Sequence, residues 1–260
     1  GSGGSPQVLE TAGVKEAEIL LAVTDSDETN LLACLMADII SRNTKKLIRL
    51  RDADYDHYHE ALQKNAPHID TIINPEIEVV RTIDRLMSVP GAVDVGEFAE
   101  GRVKFVGIQL EKETRLAGIR LMDIPKELGD QRILIAAVVR DEKLIIPRGK
   151  DKLLPGDLIY FISEERRLME TLKIFNKRAK PIRHAMIVGG GRVGTRLARL
   201  LTKQHIHTKI LERSSERCDL LARELDEAVV LCGDGSDQKL LEEENVQGMD
   251  VVVTLTDDEE

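Results

Sequence analysis

Three consecutive glycines follow an apolar segment near the end of the chain, and this arrangement suits few folds. The segment His184–Val188 (HAMIV) has the character of a buried strand and runs directly into Gly189–Gly194 (GGGRVG), which fits the pattern G-x-G-x-x-G. An amphipathic helix through Lys203 follows, and the acidic Glu212 comes at roughly the 20-residue spacing expected of this fingerprint. The sequence therefore predicts a Rossmann-type βαβ unit.

Each glycine of the fingerprint has a separate physical task. Gly189 permits the tight turn, Gly191 lets a pyrophosphate approach the backbone, and Gly194 allows the helix to pack closely on the strand. The amides at the start of the helix, aided by the positive end of its dipole, then face the phosphates. The alternative is a glycine turn that only lets a helix cross a strand.

Glu212 ends the second predicted strand of this unit, where it can accept hydrogen bonds from both ribose hydroxyls. The same carboxylate would repel a 2′-phosphate, which disfavours NADP, although the neighbouring Arg213 weakens that exclusion. NAD(H), ATP and ADP all carry the diol. Glu212 therefore leaves NAD(H) and ATP/ADP open.

Secondary candidates lie at the ends of other strands. Gly233-Asp234 follows the third strand, where ligand contact and a simple turn before a helix N-cap at Ser236 or Asp237 are equally good interpretations. The pairs Thr24-Asp25 and Thr256-Asp257 follow two equivalent strands, and open α/β sheets bind ligands at the carboxyl ends of their strands.

An internal repeat shapes the organisation of the chain. The segment Gly4–Glu28 matches Gly235–Glu260 with one residue of slippage. The first copy lacks a preceding glycine fingerprint, and the second lacks what should follow it. We therefore expect a central slice of a longer tandem protein, in which the opening GSGGSP is either a native loop or the remnant of a tag, and not a signal or transit peptide.

Alternating strand and helix patterns predict an α/β fold with two partial Rossmann-type parallel sheets and a small α/β module between them. The first part includes a helix predicted over residues 54–65. The predicted domains are residues 1–92 for the first Rossmann part, 93–177 for the small module, 178–183 for a basic linker and 184–260 for the second Rossmann part.

Composition excludes several classes of protein. A net charge of −9 and the absence of Trp argue against nucleic-acid binding, which needs a basic surface and aromatic platforms. No apolar run approaches the roughly 20 residues that span a bilayer. Cys34, Cys218 and Cys232 are scattered, which fits a reducing compartment, and we expect all three to be buried apolar residues.

Catalytic and metal-binding patterns are not visible in the sequence. There is no G-x-S-x-G or H-E-x-x-H motif, and the histidines lack partners at ligand spacing. We therefore expect a protein that is not an enzyme and that binds no metal.

Taken together, these segments resemble the TrkA family of the RCK/KTN nucleotide-binding proteins. The similarity covers essentially the whole chain and is carried by five segments and by the middle module. The segments are MIVGGGRVG, ILER, VVLCGDGSDQKLLEEENV and LLAVTDSDETNLLACLMA with LIRLRDADY, and the middle module, FAEGRVKFVGIQL through IIPRGKDKLLPGDLIYFI, is similar to the family's smaller C-type domain.

The resemblance implies a regulatory subunit of a Trk-type potassium uptake system, placed at the cytoplasmic face of the membrane by a potassium-translocating membrane subunit. It implies a homo-oligomer, a dimer or tetramer ring, whose shape responds to NAD(H) or to ATP/ADP. It also implies phosphate and ribose contacts in the second Rossmann part. In the first part, it implies residues on the side of the sheet that faces a ligand. By position these are Gly189, Gly190, Gly191, Arg192, Val193 and Glu212 in the second part, and Thr24, Asp25 and Arg49 in the first.

Two other functions remain open from the sequence. An NAD-dependent oxidoreductase uses the same glycine fingerprint, but it needs an acid–base residue facing the nicotinamide, and the middle module shows none. The gating ring of a ligand-activated potassium channel uses the same domains, although the close doubling within one chain favours a separate regulatory subunit.

Overall fold

The computed structural model describes residues 1–65, 67–129, 133–177 and 180–256. The chain divides into two compact units, Gly1–Val79 and Val80–Glu260. Among the described residues the strands form three sheets. Two of them are parallel, which confirms the predicted α/β class.

The first unit is built on a parallel sheet in the order β1-β2-β3. Its strands are β1 (Ile19–Ala22), β2 (Lys45–Arg49) and β3 (Thr71–Ile73). Its helices are α1 (Pro6–Thr11), α2 (Asp27–Ile40) and α3 (His59–Lys64), and α4 (Pro75–Ser88) begins within it. The apolar face of α2 packs on the sheet around the fully buried Ile48, Leu50 and Cys34.

The second unit contains an antiparallel sheet in the order β4-β5-β8-β6-β7. Its strands are β4 (Ala92–Phe98), β5 (Val103–Gln109), β6 (Leu134–Arg140), β7 (Lys143–Ile145) and β8 (Leu158–Glu164). Two short helices, α5 (Ile124–Leu128) and α6 (Leu168–Ile174), accompany them. The stacked rings of Phe161 and Phe175, with centroids 5.1 Å apart, lie in the core of this part.

The remainder of the second unit is a parallel sheet in the order β11-β10-β9-β12. Its strands are β9 (His184–Val188), β10 (His207–Glu212), β11 (Val229–Cys232) and β12 (Val251–Thr254). Its helices are α7 (Arg192–Lys203), α8 (Ser215–Glu224) and α9 (Gln238–Glu243). The central strand β9 is buried from Ala185 to Val188, as its unbroken apolar sequence predicts.

The two copies of the internal repeat adopt the same local structure. In each copy a six-residue helix, α1 or α9, is followed by a parallel strand, β1 or β12. A residue with positive φ follows each helix, Gly13 at 84° in the first copy and Asn245 at 60° in the second. Asparagine tolerates this region better than most other side chains do, so it can stand where the first copy has glycine.

Two predictions from the sequence are wrong in detail. The helix predicted over residues 54–65 is a 3-10 helix, Ala53–Tyr58, followed by the short α3. The Asp52 side chain accepts a hydrogen bond from the Asp54 amide, and such local side-chain bonds compete with regular helix formation. Cys232 is exposed, contrary to our expectation, because it ends a strand at the edge of its sheet.

Within the described ranges, every helix is too short or too polar to cross a bilayer.

Candidate functional site

The glycine loop between β9 and α7 is held by close backbone contacts. Gly189 has a φ of 111°, and a Cβ there would lie 2.3 Å from the Leu255 carbonyl oxygen. A Cβ on Gly194 would lie 2.0 Å from the Gly189 carbonyl oxygen. Neither position accepts a side chain without moving backbone, so the strand, the loop and the helix are in direct contact.

Gly191 differs from its neighbours because it borders open space. Among the residues that the structure describes, a Cβ on Gly191 would meet no heavy atom within 4 Å. The backbone at Gly191 is the N-cap of α7, and its φ of −65° is accessible to any residue. The absence of a side chain here leaves room for another group to approach the backbone.

The first turn of α7 presents backbone donors next to this space. Thr195 donates the first helical hydrogen bond, to the Gly191 carbonyl at 2.9 Å, so the amides of Arg192, Val193 and Gly194 precede the helical ladder. The N-cap residue is Gly191, which has no side chain with which to cap this end of the helix. Amides that point outward at the positive end of a helix dipole form an anion-binding arrangement.

Glu212 lies at the end of β10, beside the loop. Its Oε2 accepts a hydrogen bond from the Gly190 amide at 2.7 Å, and its Oε1 accepts one from the Ser214 amide at 2.8 Å. Each carboxylate oxygen has a second lone pair that can accept from another donor. The geometry thus brings Glu212 and the glycine loop together, and it holds the carboxylate in one orientation.

Arg217, which we did not predict, also holds the loop. Its Nε donates to the Gly190 carbonyl at 3.0 Å, and its Nη2 donates to Thr195 Oγ1 at 3.1 Å. Thr195 in turn donates to the Gly191 carbonyl at 2.8 Å. In the sequence, Arg217 is indistinguishable from the exposed Arg223 of the same helix, so only the fold reveals its contacts.

Gly233 and Asp234 follow β11 at the same edge of the sheet. The Gly233 amide donates to the Glu212 carbonyl at 2.9 Å. Asp234 accepts hydrogen bonds from the Ser236 amide and hydroxyl, which lower the pKa of its carboxyl. Asp237 is the N-cap of α9 and accepts from the Lys239 amide. Asp234 therefore contributes to the turn that precedes α9.

Thr256 lies beside the glycine loop. The Leu255 amide donates to the Val188 carbonyl at 2.7 Å, which extends the β12 pairing to this point. A Cβ built on Gly189 would lie 3.5 Å from the Thr256 amide nitrogen. Asp257, the other member of the predicted pair, lies outside the described residues.

In the first unit the predicted residues Thr24 and Arg49 are brought together. Arg49 Nη2 donates to the Thr24 carbonyl at 2.9 Å, and the Asp25 carbonyl accepts a hydrogen bond from Arg51. The fully buried Asn30, which the sequence did not single out, joins the two strand ends through its amide nitrogen, which donates to the Thr24 and Arg49 carbonyls at 3.0 Å each.

Comparison with known protein families agrees with this architecture. The TrkA-N domain matches residues 1–75 and 185–260, and the TrkA-C domain matches residues 105–176. The chain belongs to the TrkA family. Among the solved structures, the GsuK channel superposes with a TM-score of 0.65 at 16% identity, covering 99% of this chain and 44% of that chain. A structure described as the GsuK channel bound to NAD superposes with a TM-score of 0.63 at 17% identity, with the same coverage. At this identity the likeness concerns the fold.

Curated relatives carry the same family name. The Trk system potassium uptake protein TrkA of Vibrio alginolyticus is 35% identical over the whole chain, and that of Halomonas elongata is 36% identical. The corresponding protein of Haemophilus influenzae is 34% identical. In each case the chain covers 57% of the relative, so it spans little more than half the length of these proteins.

Proposed function

We propose that the loop at Gly189–Gly191, the first turn of α7 and Glu212 bind the phosphates and ribose of an adenine nucleotide. NAD(H) is our first choice, and ATP or ADP is the alternative. The observation that carries the proposal is the pairing of two features. The α7 N-terminus has a glycine N-cap, Gly191, that no other described residue crowds, and the Glu212 carboxylate is anchored on the adjacent Gly190 amide.

The electrostatics of this edge support a phosphate at the loop and a sugar at Glu212. The outward amides of α7 favour negative charge, and the Arg217 guanidinium adds a full positive charge behind the loop. Glu212 disfavours a phosphate at its own position, but it accepts hydrogen bonds from a ribose diol. A nucleotide with a free 2′-hydroxyl satisfies both ends of the site, whereas NADP does not.

We further propose that nucleotide binding regulates a Trk-type potassium transporter. In this proposal the chain acts on the cytoplasmic side as part of a homo-oligomeric ring that contacts the potassium-translocating membrane subunit. Binding regulates and does not lead to chemistry on the nucleotide. The names of the curated relatives support this assignment.

Isothermal titration of the chain with NADH, NAD, ATP, ADP and NADPH tests the binding site. We expect saturable binding of the nucleotides that carry a free ribose diol, and weaker binding of NADPH. Gly191→Asp is the informative variant, because it places a carboxylate where the phosphates approach the loop and should abolish binding. If none of these nucleotides binds the unmodified chain, the binding proposal is wrong.

The regulatory part requires a separate measurement. We expect potassium flux through a Trk membrane subunit, reconstituted in vesicles with the complete regulatory protein, to change when the preferred nucleotide is added. The same preparation carrying Gly191→Asp should not respond. A flux that ignores the nucleotide, despite demonstrated binding, would contradict the regulatory assignment.

A further inference from the structure

Two cysteines meet beside Glu212. Cys232 is the last residue of β11 and is paired in register with Glu212, the last residue of β10. Residues paired in this way on neighbouring parallel strands lie about 4.8 Å apart, and their side chains point to the same face of the sheet. From α8, above that face, the Cys218 thiol donates to the Glu212 carbonyl at a distance of 3.3 Å. The helix therefore brings Cys218 over the ends of both strands.

The two thiols differ in their environments. Cys232 is exposed, whereas Cys218 is only 8% exposed. Burial, and then a side-chain hydrogen bond with Cys232, raise the pKa of Cys218 to about 12. A solvent oxidant thus reaches Cys232 first, and Cys218 is a shielded thiol next to it. Cys34 is fully buried in the first unit and serves as an internal reference.

We propose that Cys232 and Cys218 are an oxidisable pair that closes to an intrachain disulfide next to Glu212 and thereby weakens nucleotide binding. Formation of the disulfide is independent of the proposed function. Its effect on binding rests on that function.

The chemistry is a two-electron oxidation by a peroxide. The Cys232 thiolate sulfur attacks hydrogen peroxide, the O–O bond breaks, and the sulfur becomes a sulfenic acid while the departing hydroxide takes up a proton as water. The Cys218 sulfur then attacks the Cys232 sulfur, the S–O bond breaks, and the departing hydroxide leaves as a second water with the Cys218 proton. Two thiols and one peroxide thus give one disulfide and two waters, and thiol reductants reverse the change.

The link to the glycine loop runs through the neighbour of Cys218. Arg217 donates to the Gly190 carbonyl and to Thr195. β11 lies at one edge of the described sheet, and β9 lies on the other side of β10. A bond from Cys218 to Cys232 therefore draws the start of α8 towards β11, away from the loop, and withdraws the Arg217 guanidinium from Gly190.

The test combines thiol chemistry with titration. The full chain is treated with hydrogen peroxide, quenched with catalase, alkylated under denaturing conditions and analysed by peptide mass spectrometry. We expect a cross-linked peptide joining Cys218 and Cys232 and an alkylated Cys34. NADH affinity should fall about fivefold, the lower end of typical coupling between sites, and dithiothreitol should restore it.

Variants separate the possible outcomes. Cys34→Ala should retain the cross-link, and Cys218→Ala should instead leave a sulfenic acid at Cys232, which dimedone traps. An alkylatable Cys218 after oxidation of the unmodified chain overturns the proposal. A disulfide that leaves NADH affinity unchanged overturns the coupling to the site. Should the reduced chain bind no nucleotide at all, the proposed function fails, and the mass spectra still decide the fate of the thiol pair.

Discussion

The Glu212 carboxylate and the Gly190 amide are joined by a 2.7 Å hydrogen bond, so the residue predicted to hold a ribose also orients the loop predicted to hold phosphates. A charged acceptor of this kind contributes roughly 1.5–3 kcal/mol to the interactions that it makes. Removal of its charge should therefore affect two parts of the site at once.

Glu212→Gln tests this double role. The amide side chain keeps the shape and one acceptor oxygen, but it loses the charge that strengthens hydrogen bonds from ribose hydroxyls and repels a 2′-phosphate. We expect NADH to bind about tenfold more weakly, as loss of roughly 1.4 kcal/mol implies, and the preference for NADH over NADPH to shrink. Titration calorimetry measures both values. Glu216→Gln, at an exposed acid in the first turn of α8, should leave both unchanged.

Substitutions at Gly194 and Gly191 should have opposite effects on stability and binding, although both glycines belong to one fingerprint. In Gly194→Ala the new methyl group would lie 2.0 Å from the Gly189 carbonyl oxygen, so we expect a loss of about 3 kcal/mol in unfolding free energy. Gly191→Ala enters open space and should cost about 1 kcal/mol or less, while it weakens nucleotide binding. Urea denaturation with parallel titration separates the two effects. Equal stability of both variants would show that the loop relaxes more easily than its contacts indicate.

The parts of this fold that the sequence predicts are those that depend on patterns among neighbouring residues. The apolar strand β9, the glycine loop and the amphipathic α7 occur at the predicted positions, because burial and helical periodicity act over a few neighbouring residues. The repeat in the sequence also corresponds to a repeat in the structure, since α1 precedes β1 as α9 precedes β12.

The parts that sequence reasoning missed depend on contacts between distant segments. Arg217 reaches Gly190 only because α8 packs beside the loop, and Asn30 joins Thr24 to Arg49 only because β1 and β2 are neighbours. Neither side chain differs in type from many solvated ones. The exposure of Cys232 likewise follows from the order of strands, which places β11 at an edge.

Arg217→Lys examines the positioning role of the guanidinium. Lysine keeps the positive charge but cannot donate to Gly190 and Thr195 from one planar group. We expect about fivefold weaker NADH binding with a melting temperature close to that of the unmodified chain, because only two hydrogen bonds at a partly exposed site are altered. The matched control is Arg223→Lys in the last turn of α8. A large drop in melting temperature with unchanged affinity would instead make Arg217 a purely structural residue.

Asp157 makes the stability of the second unit depend on pH. Its buried carboxylate accepts two hydrogen bonds from Arg140, Nε to Oδ1 at 2.6 Å and Nη2 to Oδ2 at 2.7 Å, and a third from the Leu154 amide. Burial alone would raise the pKa of Asp157, but these hydrogen bonds outweigh it and lower the pKa below 3.8. The folded state therefore holds the charged form more strongly than the unfolded state does.

The resulting stability is fully present above the unfolded pKa of 3.8 and is lost as the pH falls through the lower folded value. Asp157→Asn should flatten this part of the dependence of unfolding free energy on pH, and it should cost about 3 kcal/mol at neutral pH because Arg140 loses its ionic partner. Urea denaturation at a series of pH values measures both effects. Glu164→Gln breaks the exposed pair with Arg166, which solvent screens, and should change both much less. If the unfolding free energy of Asp157→Asn falls with decreasing pH as steeply as that of the unmodified chain, other carboxylates dominate the acid sensitivity of this unit.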